Sequence, residues 1–262
     1  MESTGIYWIP VYEVLEARGV EVNLVDARQV KNVTGRKPDV EDCQWLQQLH
    51  ASGLLSGAFR PADKILPLRG YMRQREILVK SSATSIQHMQ KSLSQMNLHL
   101  SNVLSDISGL TGMKIIRAII AGERDPKKLS EFRDPRCKQN IETIEKSLTE
   151  NYREEHLFNL QKFLEIFDFY QQQILNCDKK IEEALIQLSP SSSKDQNFFD
   201  QKEKKQNTPR SYRTNKSNLF YFDPLECLKD ITNVDLTKIP GIESNLAIKI
   251  LIEVGTDLNK WK

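Results

Sequence analysis

Two aspartates, Asp39 and Asp42, stand three residues apart, directly behind the segment Gly35-Arg36-Lys37-Pro38. On a helix this spacing puts both carboxylates on one face. Carboxylate oxygens that face one point can hold Mg²⁺, and cations beside them can hold a phosphate against the ion. The same residues also suit a simpler role, in which Asp39 caps a helix and Asp42 is a first-turn acid favoured by the helix dipole. The spacing alone leaves both interpretations open.

The first 57 residues are predicted to form a partial α/β layer that carries these aspartates. Apolar spacing over residues 8–15 indicates a short amphipathic helix, and Gly19 is its expected C-terminal stop. Alternating apolar residues over 20–26 indicate a strand. A second helix is expected from about Asp39 to Ala51. Because one strand cannot make a sheet, its neighbours are either absent from this chain or come from elsewhere.

The middle of the chain, residues 58–188, is predicted to form long coiled-coil helices. Apolar residues there recur at alternating steps of three and four, which is the heptad pattern of a coiled coil. The first series is Ile86, Met89, Leu93, Met96, Leu100, Val103 and Ile107, and the second is Leu157, Leu160, Leu164, Phe167, Ile174, Ile181, Leu185 and Leu188. Short helices, including one over 114–121, are expected between them. The two long helices can pair with each other as an antiparallel hairpin or with a second copy of the chain.

Residues 189–224 are predicted to be a disordered polar linker, since 189–218 contain no Val, Ile, Leu or Met with which to form a core. The last stretch, 225–262, is predicted to begin a small helical domain. Its Pro240-Gly241 turn precedes a helix and resembles the DNA-backbone contact of a helix-hairpin-helix. Backbone N–H groups at such a turn can hold a phosphate, although the pattern also fits an ordinary turn.

Composition excludes several classes of protein. The 262 residues carry a net charge of only +2, but residues 59–80 hold six bases against two acids and 140–188 hold ten acids against five bases. Phosphate is therefore expected to prefer the N-terminal half. The four cysteines are far apart and suit reduced thiols better than a zinc site. No apolar run reaches the ~20 residues of a membrane span, and a cytoplasmic location is expected.

Seven segments in order resemble the IS-one-ten (IS110) family of bacterial insertion-sequence transposases, which also includes Piv-type DNA invertases. They are Glu2–Trp8, Gly35–Asp42, Gly122–Pro126, His156–Phe158, Cys177–Asp178, Ile231–Leu236 and Ile239–Ile242. The resemblance implies a RuvC-like domain of RNase H fold with an Asp-Glu-Asp-Asp cluster for Mg²⁺. Carried over by position, Glu2 is the family's glutamate, and Asp39 and Asp42 are its last two aspartates.

The resemblance also implies partners and an activity. The family exchanges DNA strands between element ends and target with a serine nucleophile, assembles through its coiled coil and can be directed by a structured RNA from the element. A homo-oligomer is therefore expected. The cations expected to contact the DNA backbone beside the carboxylates are Arg28, Lys31, Arg36 and Lys37, with Gly241 as a further contact.

The chain departs from the family pattern at both ends. The family's first aspartate lies on a strand upstream of the glutamate, and its serine lies beyond the helix after the Pro-Gly turn. Pro38 and Cys43 also stand where Thr and Ala are commoner. The expectation is a truncated transposase that is inactive alone. The alternative is a non-enzymatic coiled-coil protein that binds DNA or associates with itself, which would leave Glu2, Asp39 and Asp42 on separate faces.

Overall fold

A computed structural model describes residues 1–32, 39–149, 152–190 and 219–256, without the side chains of 31–32 and 39–42. The chain divides into two compact units, Met1–Pro61 and Ala62–Lys262. The described residues are mostly helical, as predicted. No helix in these ranges is long and apolar enough to cross a bilayer.

Within its described residues, 1–32 and 39–61, the first unit has three helices: α1 (Trp8–Ala17), α2 (Ala27–Asn32) and α3 (Asp39–Ala51). Both predicted helices are therefore present as α1 and α3. Gly19 follows α1 with a φ of +74°, and its N–H donates to the Glu16 carbonyl at 2.9 Å. A positive φ favours glycine, so Gly19 ends this helix as expected.

Of the strand predicted over residues 20–26, only Val25 is paired, and it forms one isolated bridge on each of its two sides. Val25 bridges Glu2 in parallel and Gly57 in antiparallel orientation. The Ser3 N–H donates to the Val25 carbonyl at 2.9 Å, and the Ala58 N–H donates to the Leu24 carbonyl at 2.5 Å. Both pairing partners of Val25 therefore lie within this chain, whereas the sequence led us to expect them to be absent from it or to come from elsewhere. Val25 itself is buried.

The second unit is built on two long helices, α4 (Leu66–Gln95), which follows a short 3-10 helix at Asp63–Ile65, and α9 (Glu154–Leu188). Their contacts join Arg75 to Asp178, Ser82 to Gln171 and His88 to Phe163. In these three contacts the residue numbers increase along α4 and decrease along α9, so the two helices are antiparallel. Of the two predicted pairings, the chain adopts the antiparallel hairpin.

Between the two long helices, the described residues 96–149 form four short helices: α5 (Leu100–Val103), α6 (Leu110–Ile120), α7 (Pro126–Glu131) and α8 (Ile141–Lys146). The Asp125 carboxylate accepts the Lys127 N–H at the start of α7, and the Asn140 side chain accepts the Thr143 N–H at the start of α8. Such caps satisfy backbone donors that a helix leaves unpaired. Apolar residues of α6 and of both long helices form one core, including Met89, Leu93, Ile115, Ile116, Ile119, Leu160 and Leu164.

The C-terminal residues form α10 (Leu225–Thr232), a 3-10 turn at Leu236–Lys238 and α11 (Ser244–Val254). They pack on the far end of the long helices and share a second core with them. Its members include Leu68, Met72, Ile181, Leu185, Phe220, Phe222, Ala247, Ile248 and Leu251. The predicted helix after the Pro-Gly turn is thus present as α11.

A buried ion pair joins this C-terminal part to the helix pair. Arg75 and Asp178 are 2% and 3% exposed, and Arg75 Nε donates to Asp178 Oδ1 at 2.5 Å. Arg75 also donates to the Leu219 carbonyl at 2.9 Å, and Asp178 accepts the Tyr221 N–H at 3.0 Å. Burial raises the pKa of the Asp178 carboxyl, and Arg75 opposes that rise.

Candidate functional site

Glu2 forms an isolated bridge with Val25, and its position is set by this backbone pairing. The Val25 N–H donates to the Met1 carbonyl at 2.9 Å, and Ser3 bonds back to Val25. The Glu2 residue between these bonds is half-buried, and its Oε1 accepts the Thr4 hydroxyl at 2.8 Å. The bridge fixes the backbone of Glu2, and the bond from Thr4 orients one of its carboxylate oxygens. Such a carboxylate is a suitable hard ligand for a cation.

The other two predicted carboxylates lie in the first turn of α3. The helix begins at Asp39, as the sequence indicates, so Asp39 and Asp42 are one turn apart on its backbone. Their side chains lie outside the described part of the chain. The convergence of these two aspartates with Glu2 therefore stays a prediction, as does the alternative that they only cap the helix.

Of the four cations predicted beside the carboxylates, Arg28 is described in full. Arg28 lies exposed on α2, and its backbone N–H donates to Asp26 Oδ1 at 2.9 Å. Asp26 thereby caps the start of this helix. Lys31 follows one turn later on α2 with its side chain outside the description, and Arg36 and Lys37 belong to the undescribed segment 33–38.

Helix α2 was not predicted from the sequence. At six residues it is too short to show helical periodicity, and the one local signal was Asp26 as a capping residue. Its consequence for the site is that Arg28 and Lys31 lie on a helix that starts two residues after Val25, the residue that both bridges share.

A metal site of three or more His, Cys, Asp or Glu side chains does not occur within the residues whose side chains are described. Asp39 and Asp42 are not among those residues. The predicted ligand set consists of carboxylates alone, and hard oxygen ligands are those that Mg²⁺ prefers. The chemistry of the donors therefore fits Mg²⁺.

Gly241 forms the predicted turn ahead of α11. Its φ is +87°, which favours glycine, and the Ile242 N–H donates to the Ile239 carbonyl at 3.1 Å. Gly241 is exposed, and open space surrounds the place where a Cβ would lie. The backbone at this turn is consequently accessible to a phosphate, although the geometry suits an ordinary turn equally well.

The basic stretch 59–80 offers less free charge than its composition suggests. Four of its six cations form ion pairs: Arg60 with Glu16, Arg69 and Arg73 with Glu253, and Arg75 with Asp178. A cation already paired with a carboxylate attracts phosphate weakly. Much of the local excess of bases in this stretch is thus used within the fold.

The comparisons with known proteins bear on the first 98 residues. A family model described as a transposase, of the DEDD and IS110 type, matches residues 1–98. That range covers the whole first unit and all of α4, and it includes Glu2, Asp39 and Asp42. No curated protein and no solved structure was found to match the chain. Residues 1–98 are thus similar to the IS110 family of DEDD insertion-sequence transposases.

Proposed function

We propose that this protein takes part in DNA strand exchange as the transposase of an insertion sequence. The observation that carries the proposal is the family match over residues 1–98, which contains three acidic residues at the positions expected for metal ligands. Such a protein works on element ends and target DNA, in the cytoplasm. A RuvC-like fold, a guide RNA and assembly through the long helices belong to this proposal.

Glu2, Asp39 and Asp42 would hold Mg²⁺ in the proposed site. When bound, the ion polarises the scissile phosphate and stabilises charge that develops on its oxygens. Pairing with Val25 holds Glu2 in place, and the backbone of α3 brings Asp39 and Asp42 within one turn of each other. Ligands on ordered elements hold a cation at lower cost in conformational entropy than ligands on free loops.

Four cations near the carboxylates in sequence would hold the DNA backbone, namely Arg28, Lys31, Arg36 and Lys37. Cations that contact phosphates set the position of the duplex and make binding dependent on salt. The exposed Gly241 turn would offer a second, uncharged contact through its backbone. Neither contact reads bases, so target choice would come from elsewhere.

A DNA-binding measurement in Mg²⁺ and in EDTA tests this proposal. Without metal, the carboxylates repel phosphate, so Asp39→Asn/Asp42→Asn should bind duplex DNA more tightly than the unaltered chain. In Mg²⁺, an ion held by the carboxylates would supply positive charge beside the DNA backbone, so the DNA affinity of the unaltered chain should gain about tenfold relative to the variant, or about 1.4 kcal/mol. Fluorescence anisotropy with a labelled 30-bp duplex at constant ionic strength measures both affinities.

The matched control removes the same charge elsewhere in the first unit. Glu13 and Glu21 are exposed, and Glu13→Gln/Glu21→Gln also removes two negative charges. This control should keep the Mg²⁺ response of the unaltered chain. An equal Mg²⁺ response in the Asp39/Asp42 variant would contradict the proposed metal site and favour a non-enzymatic DNA-binding scaffold.

A further inference from the structure

The C-terminal half of α4 continues into a long stretch without acidic residues. Residues 77–105 contain no Asp or Glu, but they contain Lys80, Lys91, two histidines and many Ser, Thr, Asn and Gln residues. Acids account for 35 of the 262 residues of the chain, so a stretch of this length without one is unusual. A phosphate that approached this part of the protein would meet no carboxylate from the stretch itself.

Five of these residues form a stripe on the solvent side of α4. Lys80, Thr84, His88, Lys91 and Gln95 follow at steps of four, four, three and four, which places them on one face of a helix. All five are exposed. With about 1.5 Å of rise per residue, the two lysines are roughly 16 Å apart along the axis, or about five steps of one nucleic-acid strand.

The lysines of this stripe differ from the cations in the first half of α4. Arg69, Arg73 and Arg75 are paired with carboxylates. Lys80 and Lys91 form no ion pair with any residue in the described part of the chain. Their charge is therefore available to an external anion.

The neighbouring edge of α9 adds an aromatic surface and no acid. The His88 ring stacks on Phe163 with centroids 4.4 Å apart and 14° between the planes. Positions 159, 166 and 170 lie on the same edge as Phe163 by helical spacing and are Asn, Ile and Tyr. The acids of α9, such as Glu165 and Glu183, pair with Lys162 and Lys180 instead.

We infer that this stripe of α4 binds the phosphodiester backbone of a nucleic acid. Two free ammonium groups would contact phosphates, and Gln95, one turn beyond the second lysine, carries an amide of the kind that commonly bonds to phosphate oxygens. The Thr84 hydroxyl donates to the Lys80 carbonyl at 3.2 Å, so it contributes an uncharged surface between the lysines. The exposed His88 ring, supported by Phe163, can contact a base or a sugar. The inference deepens the proposed function, because it gives the nucleic-acid partner a contact away from the carboxylates.

Binding assays in EDTA test the stripe without involving the metal site. The probes are a 30-bp duplex DNA and a 30-nucleotide single-stranded RNA, each titrated over a range of salt. Lys80→Gln/Lys91→Gln should weaken binding about three- to tenfold at moderate salt. The slope of log K against log salt should fall by about 1.8 for duplex DNA or about 1.4 for single-stranded RNA, as expected for two lost phosphate contacts.

The control is Lys162→Gln/Lys180→Gln, which removes the same charge from lysines that already pair with acids. It should leave the slope nearly unchanged, and circular dichroism confirms that each variant is folded. A loss confined to one probe identifies that nucleic acid as the ligand of the stripe. Unchanged slopes, an equal loss in the control, or no binding of either probe by the unaltered chain would overturn the inference. Because Mg²⁺ is absent, these results are separate from the Mg²⁺ response that tests the carboxylates.

Discussion

Replacing Asp178 with alanine is expected to lower the free energy of unfolding by about 3–5 kcal/mol, since it leaves a buried guanidinium without its partner. Arg75 is 2% exposed and bonds to Asp178 at 2.5 Å, so water cannot take the place of the lost carboxylate. The bond to the Tyr221 N–H would be lost as well. Urea unfolding followed by helical circular dichroism measures the change.

The comparison pair is Arg117 with Asp168, which is also 2.5 Å apart but 46% and 38% exposed. Asp168→Ala should cost no more than about 1 kcal/mol, because solvent screens exposed pairs. The double variant Arg75→Met/Asp178→Leu should recover most of the loss, since it leaves no buried charge. A loss in Asp178→Ala no greater than that in Asp168→Ala would show that the pair is not buried as described.

Alanine at Gly112 is expected to lower the free energy of unfolding by about 1–3 kcal/mol, the usual effect of forcing atoms into a packed site. A Cβ there would lie 2.2 Å from the Ile107 carbonyl oxygen, and backbone cannot move aside as a flexible side chain can. The clash also exceeds the gain in helix propensity that alanine brings. Thermal or urea unfolding measures the effect.

Gly70 provides the same substitution with the opposite expected sign. It lies in α4 with no atom within 4 Å of the place where a Cβ would stand. Gly70→Ala should therefore raise the free energy of unfolding by about 0.5–1 kcal/mol, because alanine loses less backbone entropy in a helix. Stabilisation by both substitutions would refute the close approach of α6 to Ile107.

Periodic patterns in the sequence located one long helix well and the other only in part. The second heptad series lies on α9, and α3 begins at Asp39 as the spacing indicates. The first series was expected to continue to Ile107, but α4 ends at Gln95 and the chain turns there into the shorter α5. Apolar residues repeated over several turns carry this information locally. The choice between an internal hairpin and pairing with another copy was not local, because both bury the same apolar stripe.

Contacts between distant residues could not be predicted in this way. Arg75 and Asp178 are 103 positions apart, and nothing in the sequence around either residue indicates that they pair. The β pairing described in the first unit consists of two isolated bridges at Val25. Such single-residue pairing is too short for an alternating apolar pattern to reveal which residues are the partners. Which residues become such partners is decided by the three-dimensional fold and not by the residues next to them in the sequence.

In the candidate site, too, the sequence predicted local features but not the features that depend on distant residues. The spacing of Asp39 and Asp42 indicated a shared helix face, and the helix is present. Nothing in the spacing pointed to Glu2, which lies 37 positions before Asp39 and was assigned by family resemblance. The exposed stripe on α4 could have been noticed from its lack of acids, but its free lysines and stacked histidine required the structure.

Glu2, Asp39 and Asp42 are proposed to bind one divalent cation. Crystals grown with Mn²⁺ in place of Mg²⁺ test this proposal directly, because Mn²⁺ gives an anomalous signal and also prefers oxygen ligands. We expect an anomalous peak with a carboxylate oxygen of all three residues at about 2.0–2.3 Å. Carboxylates that point to separate surfaces, with no Mn²⁺ peak between them, would contradict the account.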